Sequence, residues 1–194
     1  MTSVVLSFIY LKVLNNMMGV DEAIKGRRSI RTYKSDGVKE ELVRECIEAA
    51  TYAPSAKNGQ QWRFTVLTGE AKDKFTDMYR DELGKLTEDV GSSFGSCTMM
   101  EEAPVVIMVW NTNERGWTTE AHSVSAAIQN LLLKAHSVGL GTCWIGDVFY
   151  TYDAIMDYFK KPWKLHAGIT LGWPDASPGL KPRLSVDEVT EFLN

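Results

Sequence analysis

The stretch of residues 118–138 constrains the fold more than any other part of the chain. Its apolar side chains recur at the spacing of about 3.6 residues that places them on one face of an α-helix. They are Ala121, Val124, Ile128, Leu131, Leu132, Ala135 and Val138. Gly139 follows at the position where a helix commonly ends in a left-handed turn. We therefore expect a long amphipathic helix that buries this face and ends beside Gly139.

The other patterned segments predict helices and strands in an irregular order. Helices are expected at residues 38–52 and 71–86, and strands at residues 62–67, 105–110, 142–145 and 167–171. Pro54 ends the first of these helices, and the tail from Gly172, which is rich in proline and glycine, is expected on the surface. Because helices and strands do not alternate regularly, the pattern favours an α+β fold over a βαβ array.

The length of 194 residues suits a single domain, which we expect to span residues 18–194. Residues 1–17 are interpreted as an N-terminal extension or as a start assigned too early, with synthesis beginning at Met17 or Met18. The apolar run at residues 4–10 has no basic region before it and no cleavage site after it, so a signal peptide is not expected. The run is also shorter than the ~20 residues that a membrane span needs.

Charge and cysteine usage narrow the classes of partner. The formal net charge is -4, whereas nucleic acids and acidic membrane surfaces usually require a basic face, so neither is expected as a partner. The three cysteines form no C-x-x-C motif, and the three histidines lack zinc-ligand spacing. No metal site is therefore expected, and reduced thiols in a cytoplasmic protein are the favoured interpretation.

Two polar clusters in the first third of the chain could bind a ligand. Residues 27–31 (RRSIR) gather three guanidinium groups and one hydroxyl, which match the oxygens of a phosphate. Alone, such a run is more often a solvated surface. Residues 53–62 (APSAKNGQQW) join a helix to a strand and are rich in small polar donors. An ordinary connecting loop has the same composition, so both interpretations stay open.

Two further clusters lie nearer the C-terminus. Residues 139–146 (GLGTCWIG) do not form the dinucleotide motif G-x-G-x-x-G, because Trp144 stands in place of the third glycine. Their glycines would let backbone N–H groups approach a flat ligand, or would form tight turns around a buried strand. Lys181 and Arg183 are a basic pair in the tail, which by itself would be interpreted as solvated charge.

A competing motif points to a different class of enzyme. Residues 91–95 (GSSFG) match G-x-S-x-G, in which Ser93 would be the nucleophile of a serine hydrolase. That motif requires a buried strand before it, whereas residues 85–90 are too polar for a central strand. We therefore favour a loop position without catalytic function for Ser93, and keep the hydrolase as an alternative.

Taken together, the four clusters resemble the signatures of the nitroreductase family of FMN enzymes. The matching segments are RRSIRTY (27–33), APSAKNGQQW (53–62), AAIQNLLLKAHSVGLGTCWIG (126–146) and LGWPDASPGLKPR (171–183). They occur in the family's order and spread over the chain from Met18 onward, which argues against coincidence. The chain has no clear match to the lysine-bearing segment of longer relatives, so it resembles the short branch of the family.

The resemblance implies a nitroreductase-like α+β sandwich, with a central, mostly antiparallel sheet flanked by helices. It also implies an intertwined homodimer with two FMN sites at the interface. Arg27 and Arg183 would hold the FMN phosphate, and Ser29 and Arg28 would contact phosphate or ribityl oxygens. Arg31 would be the catalytic residue, acting electrostatically at the N1–O2 edge of the isoalloxazine.

The resemblance assigns a second group of residues to the ring of the flavin. Pro54, Ser55 and Asn58 would face the flavin bound mainly by the other subunit, with Gln60 nearby. Trp144, Ile145 and Gly146 would lie along the flavin, with a backbone N–H near its N5 atom. Two positions depart from the family pattern: Gln61 replaces a proline, and Ser123 stands about where many relatives carry an acidic residue.

The activity that follows from the resemblance is a two-step oxidoreduction. NAD(P)H would reduce the flavin and leave, and an electron-poor acceptor such as a nitroaromatic or a quinone would then be reduced. A reductive dehalogenase or a flavin-fragmenting enzyme of the same superfamily would use the same cofactor site. A flavin-binding protein without enzymatic activity is a further alternative.

Overall fold

The computed structural model describes residues 18–193, so both interpretations of residues 1–17 lie outside the described part of the chain. The helices are α1 (Val20–Gly26), α2 (Glu40–Thr51), α3 (Gly69–Lys85), α4 (Ser93–Glu102), α5 (Thr118–Ser137), α6 (Tyr152–Phe159) and α7 (Val186–Val189). The strands are β1 (Trp62–Leu67), β2 (Val105–Asn111), β3 (Gly141–Ile145) and β4 (Lys164–Gly172). Short 3₁₀ turns occur at Ala56–Asn58 and Asp147–Thr151. No helix within residues 18–193 combines the length and the apolarity that crossing a membrane requires.

The four strands form one sheet in the order β1-β2-β4-β3. Each neighbouring pair is antiparallel, and helices cover both faces, so the expected α+β sandwich is confirmed. Strand β3 lies at one edge of the sheet. The candidate site is built along this edge.

Strand β2 is buried on both faces because its side chains alternate between two cores. Val105, Ile107 and Val109 pack with residues of α2 and α5 in the first core. The intervening side chains, such as Met108 and Trp110, pack with residues of α3, α4 and α6 in the second core. The uniformly apolar sequence of residues 105–110 is explained by this double burial.

A bulge interrupts the pairing of β2 with β4. The register shifts between Val109, which pairs with Ala167, and Trp110, which pairs with Leu165. A bulge places an extra residue in one strand and reverses the direction of the side chains beyond it. Ala167 accordingly belongs to the first core and Leu165 to the second, although they are two residues apart.

The long helix α5 ends as its sequence predicts. Gly139 adopts a φ of 84°, the left-handed conformation that favours glycine. The N–H of Leu140 donates to the carbonyl of Ala135 at 2.9 Å, and the N–H of Gly139 donates to His136 at 3.0 Å. These bonds satisfy the last carbonyls of the helix and turn the chain directly into β3.

All six of the other predicted elements are present; the bounds of β1 coincide with the prediction, and those of the others differ from it by at most three residues. Helices α1, α4, α6 and α7 were not predicted. The buried side of α4 carries Ser93 and Ser96 as well as Met100, while Phe94 is exposed, so the apolar side chains of this helix produce no helical period. The expectation that Ser93 lies in a loop is wrong, because Ser93 is the first residue of α4.

Candidate functional site

The site begins at the outer edge of β3. Strand β3 bonds to β4 along one side, and on the other side Ser29 bridges Thr142 while the N–H of Ile30 donates to the carbonyl of Thr142 at 2.9 Å. Backbone groups of successive strand residues point to opposite edges. The N–H and C=O of Trp144 therefore share the direction of those of Thr142, and lie beyond the point where residues 29–30 cover the edge.

Glycine at position 141 allows the segment with residues 27–33 to approach β3 closely. A Cβ built on Gly141 would lie 2.7 Å from a side-chain carbon of Ile30, nearer than real Cβ contacts come. Tyr33 anchors the other end of the segment, because its hydroxyl donates to the carbonyl of Ile30 at 2.8 Å and lies 2.7 Å from the hydroxyl of Thr170. Arg31 is thus carried on a backbone that is fixed at both ends.

Two of the sequence clusters meet in a cavity of about 220 Å³, which we call the basic cavity. Its lining residues are Arg27, Arg28, Ser29, Arg31, Pro178, Gly179, Lys181 and Arg183. Residues 27–31 lie close together along the chain, whereas Lys181 and Arg183 come from the distant tail. The fold therefore joins two runs of cations that were each ambiguous in isolation.

The basic cavity concentrates positive charge. Burial lowers the pKa of Arg27 from its ordinary value, and the neighbouring charges of Arg183 and Arg28 lower it further. Within residues 18–193, no carboxylate forms an ion pair with the arginines of this cavity. Such a group of guanidiniums without counter-ions is suited to an anion with several oxygens, such as a phosphate.

Arg28 uses part of its side chain for a structural purpose. Its Nη1 atom donates to the carbonyls of Lys25, Gly26 and Arg27 at 2.6, 3.0 and 2.9 Å. These carbonyls lie at the C-terminal end of α1, where a cation is electrostatically favourable. Arg28 therefore has fewer donors left for a ligand than Arg183, for which no bond of this kind is seen within residues 18–193.

A second cavity of about 560 Å³ lies between the outer edge of β3 and helix α4, and we call it the edge cavity. It is lined by Arg31 and Thr32, by one side of α4 and its preceding residue Ser92, and by residues 143–147. Arg31 lines both cavities. The two cavities therefore adjoin at Arg31, with Arg183 lining one and Asp147 lining the other. Two adjoining cavities of this kind suit an elongated ligand with an anionic group at one end and a flat ring at the other.

The residues of the predicted loop at 53–62 line neither cavity. Pro54, Ser55, Asn58 and Gln60 precede β1, at the opposite edge of the sheet from β3. The backbone of this loop is unusual, with positive φ at Lys57, Asn58 and Gln60. The Oγ of Ser55 accepts a hydrogen bond from the N–H of Gln60 at 3.1 Å. One chain alone therefore does not bring these residues to the others.

The two departures from the family pattern both support this loop. Gln61 is fully buried, and its Nε2 lies 3.5 Å from the carbonyl of Ala56. The hydroxyl of Ser123 accepts a bond from the N–H of Ala56 and donates one to the carbonyl of Thr119. Sequence reasoning treated these positions only as deviations, because hydrogen bonds between distant residues have no local signature.

Sequence reasoning also missed the wall of the edge cavity. Ser92, Ser96, Met99 and Glu102 line it from α4, and Asp147 lines it from the turn after β3. The α4 residues could not be recognised as lining a cavity, because the helix that carries them was not predicted. Asp147 directly follows residues 139–146, so extending that cluster by one residue would have found it.

The structure removes the basis for a hydrolase at Ser93. Its side chain is fully buried, and its Oγ donates to the carbonyl of Val90 at 2.6 Å. The segment between α3 and α4 contains no strand, whereas a nucleophile elbow requires a strand that exposes its serine. Ser93 begins a helix and is inaccessible, so the G-x-S-x-G match is coincidental.

Known proteins share this sequence and this arrangement. A model described as the nitroreductase family matches residues 24–173. The chain is 35% identical over 179 residues to a provisionally named NADH dehydrogenase/NAD(P)H nitroreductase of Methanothermobacter thermautotrophicus, covering 89% of this chain and 86% of that protein. It is 28% identical over 174 residues to a 5,6-dimethylbenzimidazole synthase of Rhodospirillum rubrum, covering 80% and 82% of the two chains.

A solved structure shows the same fold. A provisionally named nitroreductase of Desulfovibrio desulfuricans, solved in complex with FMN, is 28% identical to this chain and superposes with a TM-score of 0.75. The match covers 90% of this chain and 96% of that one. The family model spans most of the chain, and the M. thermautotrophicus relative is matched over 86% of its own length. The chain therefore belongs to the nitroreductase family, which is a family of oxidoreductases.

Proposed function

We propose that this protein is an FMN-dependent oxidoreductase that takes hydride from NAD(P)H and reduces electron-poor acceptors, such as nitroaromatics or quinones, by a ping-pong mechanism. The observation that carries the proposal is that the basic cavity and the cavity at the open edge of β3 adjoin at Arg31, which lines both. The FMN in the D. desulfuricans structure and the NAD(P)H nitroreductase name of the M. thermautotrophicus relative support it.

The residues of the two cavities fit FMN by their chemistry. The basic cavity offers Arg27, Arg183 and the hydroxyl of Ser29 to the phosphate, which carries two negative charges near neutral pH. The edge cavity offers the backbone of residues 144–146 to the flat ring. A Cβ built on Gly146 would meet no protein atom within 4 Å. Gly146 thus adds no side chain to a cavity that a ring must fill.

Arg31 has the central position in the proposed mechanism. It lies where the basic cavity meets the edge cavity, so its charge is directed to the near end of a ring bound along β3. Bound FMN supplies the redox chemistry, accepting two electrons and returning them to the acceptor. A fixed cation stabilises negative charge that develops beside it and needs no reorganisation during the reaction. The N–H of residues 144–146 would orient the ring from the strand edge.

We propose that two copies of a single domain, residues 18–194, complete each site. The tail of one chain exposes apolar side chains that a monomer would leave in water. They include Leu180, Leu184, Val186, Val189, Phe192 and Leu193, with Phe192 78% and Leu193 85% exposed. In a homodimer the loop at residues 53–62, far from the cavities of its own chain, would face the flavin of the partner.

The three buried free thiols support a cytoplasmic location, where a reducing environment keeps cysteines unpaired. Burial raises the pKa of Cys46 to about 11 and that of Cys97 to about 12. These thiols are therefore protonated and unreactive, and the proposed mechanism does not use them.

The absorbance spectrum of the purified protein tests the proposed function. We expect a yellow protein whose flavin absorbance is bleached by NADH or NADPH without oxygen, and restored by a nitroaromatic or a quinone. A colourless protein that does not take up added FMN would refute the cofactor assignment. A yellow protein that neither nicotinamide bleaches would be a flavin-binding protein without this activity.

A flavin-fragmenting reaction is the second candidate. The 28% identity to a 5,6-dimethylbenzimidazole synthase favours it, because the product in that name contains the dimethyl-substituted ring of a flavin. In this case added FMN would be consumed in air, and its absorbance would not return after reoxidation. Complete recovery over repeated cycles would exclude this candidate.

A further inference from the structure

The end of the edge cavity farthest from the arginines holds one fixed carboxylate. The Oδ2 atom of Asp147 accepts hydrogen bonds from the hydroxyls of Ser92 at 2.8 Å and of Ser96 at 2.6 Å. The two serines are four residues apart, so they lie on the same side at the start of α4. Within residues 18–193, the other carboxylate oxygen, Oδ1, accepts no hydrogen bond. Asp147 is therefore held in place and keeps one oxygen for a ligand.

The order of the elements places Asp147 at the opposite end from the basic cavity. Ser29 pairs with Thr142 at the start of β3, and the strand then advances by roughly 3.3 Å per residue toward Ile145 and the turn that contains Asp147. Its anchors lie at the N-terminal end of α4. The basic cavity is therefore lined by cations such as Arg27, whereas the edge cavity carries the carboxylate of Asp147 beyond the end of β3.

The other carboxylate of the edge cavity lies elsewhere. Glu102 is the last residue of α4, one turn beyond Met99. The sulfur of Met99 accepts a bond from Thr170, whose hydroxyl also contacts Tyr33. Glu102 is thus at the opposite end of α4 from Ser92 and Ser96, which anchor Asp147. Within residues 18–193 neither carboxylate forms an ion pair, and of the two only Asp147 is held by hydrogen bonds from side chains.

We propose that Asp147 determines which acceptors the edge cavity accepts, favouring electron-poor aromatic compounds with a cationic or hydrogen-bond-donating substituent over those with a carboxylate. The proposal rests on the proposed function, because it assigns the acceptor to the same cavity. A fixed carboxylate attracts a cation and repels an anion that binds within a few ångströms. Its attachment to Ser92 and Ser96 prevents it from turning away from an anionic acceptor.

Three matched acceptors test this inference: 4-nitrobenzyltrimethylammonium, 4-nitrobenzyl alcohol and 4-nitrobenzoate. We expect kcat/KM to fall in that order, by about three- to tenfold from the cation to the anion, the range for charges partly screened by water. In the Asp147→Asn variant the ratio should fall to near one. An asparagine oxygen can still accept bonds from Ser92 and Ser96, so the variant removes the charge and keeps the anchor.

The matched control is Asp157→Asn, which makes the same change in net charge at an exposed position of α6 outside the cavity. It should leave the order and the ratio unchanged. Salt provides a test that needs no variant: raising ionic strength from about 0.01 M to about 1 M shortens the Debye length and should reduce the wild-type ratio.

The outcomes separate the two proposals. If NAD(P)H does not bleach the flavin, the proposed function fails, and this inference fails with it. If the flavin is bleached and the neutral acceptor is reduced, the inference alone is at stake. It is overturned by an equal kcat/KM for the three acceptors, by a ratio that Asp147→Asn leaves at the wild-type value, or by a ratio that Asp157→Asn reduces equally.

Discussion

The hydroxyl of Ser123 accepts a hydrogen bond from the backbone N–H of Ala56 at 3.2 Å, which ties the loop before β1 to helix α5. The same hydroxyl donates to the carbonyl of Thr119 at 2.7 Å, so it is fixed by its own helix. Residues with positive φ follow in the loop, and such conformations persist only when their surroundings determine them. Helix α5 therefore determines the shape of a loop that, in the proposed homodimer, faces the partner's flavin.

Replacing Ser123 by alanine should destabilise the protein by about 0.5–1.5 kcal/mol, the usual value of one hydrogen bond. Urea unfolding measures this difference. Ser137→Ala is the matched control, because the hydroxyl of Ser137 donates only to Lys134 within the same helix. Equal effects of the two substitutions would contradict a specific role for Ser123 in holding the loop.

Replacing Arg183 by alanine should weaken FMN binding by about ten- to a hundredfold, because a hydrogen bond to a charged group contributes about 1.5–3 kcal/mol. The Kd is measured by fluorescence titration of the apoprotein with FMN. Arg44→Ala removes an exposed arginine that pairs with Glu40 on α2 and should leave the Kd unchanged. An Arg183→Ala protein with wild-type affinity would disprove the phosphate role of this residue.

Replacing Arg31 by alanine should leave part of the FMN bound and slow its reduction by about tenfold or more, the loss that about 1.4 kcal/mol of transition-state stabilisation produces. Stopped-flow absorbance with NADH or NADPH measures the rate at equal flavin occupancy. Arg31→Lys keeps the charge without the planar guanidinium and should recover part of the rate. An unchanged rate in Arg31→Ala would refute the electrostatic role.

Replacing Phe192 by aspartate should weaken the proposed homodimer, because a dimer that covers the tail would have to bury the new charge. Sedimentation velocity over a range of protein concentrations measures the dissociation. Thr190→Asp introduces the same charge at a polar, exposed position of the tail and should have a smaller effect. A monomeric wild-type protein, or an equally stable Phe192→Asp dimer, would disprove a role of the tail in assembly.

The pair of Arg80 and Glu101 should make stability depend on acid pH. The guanidinium of Arg80 contacts both carboxylate oxygens, at 2.6 and 2.7 Å. Its hydrogen bonds lower the pKa of Glu101 below the ordinary value of 4.5, against the opposing effect of burial. A carboxyl with a lowered pKa in the folded state contributes stability above pH 4.5 that is lost as the pH falls through the folded pKa.

We therefore expect the free energy of unfolding to fall more steeply below about pH 4.5 in the wild type than in Glu101→Gln. Because the pair is partly exposed, solvent screening limits the difference at neutral pH to about 1 kcal/mol. Urea unfolding at several pH values measures both curves. Parallel curves throughout the acid range would show that the pair does not contribute.

Much of the fold was predictable because the sheet and the long helix are coded by local periodicity. Strand β2 contributes to two cores, so it needs apolar side chains on both faces, and residues 105–110 provide them. The end of α5 needs a residue in the left-handed conformation, which Gly139 provides. Helix α4 was not predictable in this way, because serines occupy part of its buried side and Phe94 is exposed, so no apolar period marks it. Because this helix was not predicted, the expectation that Ser93 lies in a loop was wrong.

The candidate site was predictable in its parts and not in its assembly. The basic residues at 27–31 and at 181–183 were each ambiguous, because a run of cations is usually solvated. Only the path of the chain from β4 into the tail brings Arg183 beside Arg27, where burial and the charge of Arg183 lower the pKa of Arg27. Asp147 acquires its place in the cavity through Ser92 and Ser96, which are distant in the sequence.

The sequence by itself determined the four strands and the helices α2, α3 and α5, and its four signatures indicated the family. Periodicity, turn residues and short motifs act between neighbouring residues, so they can be read from the sequence without the fold. The tertiary structure decided which charges meet, which strand edge stays open and which serine is buried. These properties depend on distances between segments far apart in the chain, and those distances are set by the packing of the two cores.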